Sequence, residues 1–185
     1  MSDRVVRLDD IVRLLPRRFV PSRDIDAVCE KLSTIRDREV IPAPFDSRQH
    51  PMISCSVTGF CVRTQERDYI GYPVDAPDLY IKVVFLHELC HWALNHRGQP
   101  MSRARLIQAA APTLHLLAGE TIQEILGRTG LDDDVEQEAE SFAYRVAGLP
   151  LLGVNRIDPG VPEVLRNMRG AFTDPFGTLR RRRPA

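Results

Sequence analysis

One stretch constrains the fold of this chain more than any other. Residues 78–96 read DLYIKVVFLHELCHWALNH and follow Pro77. The proline and aspartate open a helix, and its side chains are apolar on almost every face. A helix of that kind sits at the centre of a fold with other elements packed around it. No apolar run in the chain approaches the roughly 20 residues of a membrane span.

The polar residues inside that helix are therefore the ones to explain. His87, Glu88 and His91 would all be desolvated, which is costly unless they are partnered. Residues four apart stack on one helix face, so His87 and His91 can aim ring nitrogens at one ion about 2.1 Å away. Glu88 is turned about 100° from His87. That places it off the ligand face but within reach of a water acidified by the ion, where a carboxylate acts as general base. The spacing is that of the HExxH motif, whose two histidines hold Zn2+ while the glutamate is catalytic. The plain alternative is a pair of core histidines in an accidental match.

A catalytic zinc takes a third protein ligand and keeps one open position. Residues 135–147, VEQEAESFAYRVA, form a further helix ended by Gly148 and Pro150, with Glu136, Glu138 and Glu140 on it. Glu136 as ligand, with Glu140 one turn later orienting a histidine, is a sensible arrangement. Glu138 and Glu140 stay open as ligands, with Glu120 and Glu124 as the fallback on a helical region spanning 102–128. Without the upstream motif, a solvated acidic face is the simpler reading of the trio. His96 points off the ligand face and takes a non-ligand role, supporting a ligand or ending the helix. His50 and His115 stand alone and read as structural or exposed.

The rest of the chain supplies a small α+β frame. Residues 5–15 are apolar at helical spacing up to Pro16. A second helix follows Ser22 as N-cap and buries Ile25, Val28, Cys29 and Leu32. Short strands are expected at 39–42, 53–63 (with Gly59 a bulge) and 68–72, the last two joined by an antiparallel turn through Gln65, Glu66 and Arg67. At 185 residues the chain suits one domain. Lys+Arg and Asp+Glu are 25 each, so net charge points to neither nucleic acid nor membrane. Charges at Asp3, Arg4, Arg7, Asp9, Asp10 and Arg13 leave no room for a signal peptide. The four cysteines form no CxxC pair. On a straight strand Cys55 and Cys61 would lie about 20 Å apart, so reduced thiols in the cytoplasm are expected.

Two motifs in order resemble the ImmA/IrrE family of zinc metallopeptidases. HELCHWALNH, residues 87–96, is similar to that family's HELGHxLLHH. EQEAESFAYRVAGLP, residues 136–150, is similar to its ExEANxFAxxLLxP. The resemblance spans about residues 24–150. It implies Zn2+ on His87, His91 and Glu136 with Glu88 catalytic, and a zincin-like (gluzincin) fold. That fold is a small, mostly antiparallel sheet packed on the HExxH helix, with additional helices. Residues 1–150 would form the metallopeptidase domain, with a helical insertion at 97–135. Residues 151–185 would be an extension whose arginine-rich end, Arg180 to Arg183, is expected to be disordered. The implied substrate is a helix-turn-helix repressor or similar regulator, often encoded nearby. A module of the same fold that binds such a regulator without cutting it is the alternative; retention of Glu88 favours the enzyme. Cys90 stands where the family has Gly or Ala, and as a thiol it is open to a redox role. Glu140 stands where Asn or Asp is common.

Overall fold

The structure, a computed structural model, describes residues 5–46, 59–96, 122–126 and 133–149. Within these, the chain runs α1 (Leu8–Leu14), α2 (Pro21–Arg36), β1 (Glu39–Phe45), β2 (Phe60–Thr64), β3 (Arg67–Pro73), α3 (Asp78–Leu94), β4 (Ile122–Leu126) and α4 (Asp133–Ala147). The strands form one mixed sheet in the order β1-β3-β2-β4. β2 is antiparallel to both β3 and β4, while β1 runs parallel to β3. The fold class is α+β, as expected.

α3 is the hub, and it ends two residues short of the expected His96. Every residue from Val83 to Ala93 is buried. α3 packs against α1, α2, α4, β2 and β3. Its apolar partners include Phe19, stacked on Phe85 at 5.8 Å, and Tyr72, edge-on to Phe85 at 5.9 Å. Cys61, Ile70 and Val40 share one core with the helices.

The N-terminal segment and α2 serve the C-terminal end of α3, whose last carbonyls lack helical partners. The Val6 N–H donates to the Ala93 carbonyl at 2.8 Å, and the Arg36 guanidinium donates to the carbonyls of Trp92 and Ala93. Arg36 also lies over the Trp92 ring, 4.1 Å from its centroid.

α2 carries the expected buried stripe of Ile25, Val28, Cys29 and Leu32. Its start differs from expectation: Val20 is the N-cap and Pro21 opens the first turn, where a missing N–H is harmless. The Asp24 carboxylate accepts the Val20 N–H at 2.7 Å. Asp37 then turns left-handed at φ 51°, and the Arg38 N–H donates back to the Ser33 carbonyl at 3.1 Å. β1 extends further than its first four residues and takes in Pro42 and Pro44; the Val40 N–H donates to Ser33 Oγ at 2.8 Å.

The β2–β3 hairpin has no Asn-Gly turn. Thr64 Oγ1 instead accepts the N–H groups of Glu66 and Arg67 at 3.3 and 3.0 Å. The Arg38 guanidinium donates to the carbonyls of Thr64, Gln65 and Arg67 across the same turn. β2 begins at Phe60, and residues 53–58 of the expected strand lie outside the described residues. Gly59 precedes the strand and is not a bulge within it; the irregularity in β2 falls between Arg63 and Thr64, opposite β4.

A further sequence expectation is overturned. Residues 122–126 form a strand, not part of a helix at 102–128. Their register on β2 pairs Ile125 with Val62 and Glu124 with Arg63. The sheet supplies hydrogen-bond partners that outweigh a modest helical pattern in IQEIL. The remainder of the 97–135 insertion up to residue 121, with Glu120 and His115, lies outside the described residues, as do His50, Cys55 and residues 150–185.

Candidate metal centre

His87 and His91 face one another from successive turns of α3, each 2% exposed, with their Nε2 atoms 3.0 Å apart. α4 brings the third group. Ala139, Phe142 and Ala143 are buried along α4, and Glu136 begins the same stripe at i−3 and i−7 from Ala139 and Ala143. Packing that stripe on α3 carries Glu136 onto the imidazoles. Its Oε2 lies 3.3 Å from His87 Nε2 and its Oε1 3.6 Å from His91 Nε2.

These three separations suit a cation. Three ligand atoms about 2.0–2.1 Å from a tetrahedral ion stand about 3.3–3.4 Å from one another. The donor set fits as well: two imidazoles and one carboxylate offer nitrogen and oxygen ligands, with one negative charge against a divalent ion. Among the described residues, His87, His91 and Glu136 are the group of three able to hold a metal. Burial pushes His91 down to about 3, with His87 reinforcing the shift and Glu136 opposing it. Its imidazole is therefore neutral at physiological pH, the form that ligates metal.

That shift has a consequence for the metal-free protein. The unfolded chain takes up a proton at this histidine near its ordinary value of 6.5, whereas the folded chain resists until about 3. Unfolding thus draws in a proton between those limits. The stability contribution is complete above about pH 6.5 and is lost as pH falls toward about 3, by up to about 1.4 kcal/mol per pH unit. Denaturant midpoints of the metal-free chain are expected to drop between about pH 7 and pH 5, and less steeply in a His91→Gln variant.

Glu88 is 2% exposed and is flanked by the chain entering β2. A Cβ built on Gly59 would stand 2.7 Å from Glu88 Cγ, 2.8 Å from Glu88 Oε1 and 2.6 Å from Val84 Cγ1. A side chain at this position would have to displace Glu88 or Val84, so glycine lets the backbone pass this close to the carboxylate. The sequence signal was present, a glycine in a β-rich run, but nothing in it pointed to Glu88.

Of the other candidates, Glu138 is 54% exposed on its side chain and approaches His96, with its Oε2 3.6 Å from His96 Nε2. Glu140 is partly buried one turn beyond Glu136. Glu124, on β4, lies in the sheet. Cys90 is fully buried, and burial pushes its thiol up to about 12, so at neutral pH it is a packing residue with no thiolate to oxidise. Cys29, Cys61 and Cys90 are all free thiols.

Sequence reading missed the anchor behind the site. Asp68 is fully buried in β3 and accepts hydrogen bonds from Trp92 Nε1 and Arg38 Nε, both at 2.8 Å, with Arg63 Nε at 3.6 Å. Trp92 directly follows the candidate ligand His91, so this carboxylate ties α3 to the hairpin. The available clue was one acidic residue inside an otherwise apolar strand, DYIGY.

No family model, curated protein or solved structure matches the chain. No helix among the described residues is long and apolar enough to cross a membrane.

Proposed function

We propose that this protein is a zinc-dependent endopeptidase with a zincin-like fold, of the ImmA/IrrE type, acting in the cytoplasm on a helix-turn-helix repressor or similar regulator. The observation that carries the reading is the meeting of His87, His91 and Glu136 beside a buried Glu88 that is not one of the three. The motif order along the chain supports the family, and the family supports the choice of substrate.

A divalent cation of the zinc type, when bound, supplies Lewis acidity: it lowers the pKa of water toward about 7 and polarises a carbonyl. The chain's own residues do the rest. His87, His91 and Glu136 would hold the ion. The Glu88 carboxylate takes a proton from the attacking water and delivers it to the departing amine nitrogen. Burial strengthens both transfers by removing competing solvent.

The test begins with metal. Purified protein is expected to hold one zinc per chain, and His87→Ala is expected to lose it while keeping its fold. A well-folded, metal-free wild type that binds no added zinc would end the reading. Zinc-loaded protein is then incubated with a proteome-derived peptide library, and new termini are read by mass spectrometry. Cleavage abolished by a chelator is the expected result. Zinc binding without any cleavage, combined with retention of a helix-turn-helix regulator in pull-down, would favour the binding module instead.

Gly59→Ala probes the second half of the site. The added methyl has to displace Glu88 or Val84, at a cost of about 1–3 kcal/mol in stability. A displacement of about 1 Å at a reacting group can cost about 100-fold in rate. Zinc affinity is expected to stay near wild type while cleavage of the best library peptide falls steeply.

A further inference from the structure

His96 comes back onto the metal helix by a backbone device. Asn95 turns left-handed at φ 57°, its N–H donating to the Trp92 carbonyl at 3.3 Å, and the His96 N–H donates to the His91 carbonyl at 3.1 Å. This is a Schellman turn, in which the residue after the left-handed position is folded over the last helical turn. The His96 ring thereby lands beside His91, ring centroids 5.1 Å apart, with the two Nδ1 atoms 2.9 Å apart. Its side chain is 12% exposed.

The contact is on the far edge of His91 from the metal. His91 Nε2 faces His87 and Glu136, while His91 Nδ1 faces His96. Only one of two neutral imidazoles can donate across an Nδ1···Nδ1 contact, so the pair has to share one proton. On the other side of the His96 ring, Nε2 lies 3.6 Å from Glu138 Oε2. A carboxylate there favours a proton on His96 Nε2, which makes His96 Nδ1 the acceptor and His91 Nδ1 the donor.

We infer that His96, oriented by Glu138, is a positioning residue that holds His91 in the tautomer with its proton on Nδ1 and its Nε2 lone pair turned to the metal. The inference rests on the metal centre proposed above. Ligand histidines are commonly fixed in this way by a partner on the other ring nitrogen, and losing such a partner lowers metal affinity by about 10- to 100-fold. Here the partner is a second histidine five residues along the same chain, supplied by a helix-ending turn.

The experiment measures Zn2+ affinity of the full chain by competition with a chromophoric chelator, alongside the d–d absorption of the Co2+-substituted protein. His96→Phe keeps a ring but removes the acceptor. His96→Asn keeps an oxygen close to where Nδ1 stands. The expected result is a loss of about 10- to 100-fold for His96→Phe, with an altered Co2+ spectrum, and an affinity within about threefold of wild type for His96→Asn. Thermal unfolding of the metal-free forms shows that both variants fold. Equal affinity of wild type and His96→Phe would overturn the inference, as would an equal loss in both variants. Failure of the wild type itself to bind zinc would instead remove the metal centre on which it depends.

Discussion

Glu88→Gln is expected to abolish nearly all peptide cleavage while zinc remains bound. The amide has the carboxylate's shape, so the packing against Gly59 and Val84 is retained. What it lacks is a site that accepts a proton at neutral pH. General-base catalysis of this kind contributes about 100- to 10,000-fold, and the loss should appear in kcat, with KM and zinc affinity little changed. Parallel assays on a library-derived peptide and a zinc titration decide it. Cleavage within a few-fold of wild type would remove Glu88 from the chemistry, and concurrent loss of zinc would make it a ligand.

Asp68→Ala is expected to be the most destabilising single change outside the site. It strips the acceptor from the Trp92 indole and from Arg38, and leaves the nearby Arg63 charge without its counterpart at that position. Removing one partner of a buried charge network costs about 3–5 kcal/mol. In a chain of this size that lowers the melting temperature by on the order of 10 °C. Asp68→Asn keeps one acceptor oxygen and is expected to fall between the two. Urea denaturation of the metal-free forms measures both. A variant within about 1 kcal/mol of wild type would mean that Asp68 does not anchor the helix.

The central place of α3 was legible because its side chains are apolar on almost every face, and the facing of His87 and His91 was legible from their spacing of four. Glu136 was singled out among three glutamates by the motif resemblance; the physical reason it meets the histidines, the stripe it forms with Ala139, Phe142 and Ala143 against α3, needed the fold. Ser22 failed as a cap because Pro21 already opens the helix, a local competition that capping preference alone does not resolve. IQEIL failed as a helix because its fate depends on β2, far away in sequence. Gly59 was read as a bulge, and Asp68 drew no reading at all. Their roles arise from contacts with Glu88 and Trp92, at separations over which side-chain periodicity carries no information.

The outer rim of β1 has one more implication. Residues 40, 42 and 44 share a parity in the parallel ladder with β3, and at each the outward donor is spoken for or missing. Ser33 takes the Val40 N–H, and positions 42 and 44 are prolines. A strand from another molecule approaching this border would find carbonyls but no donors to complete a ladder. Among the described strands, β1 thus presents no backbone donor at these three positions, and the short segment that carries the chain from α2 into the sheet disfavours edge-to-edge pairing of copies through it.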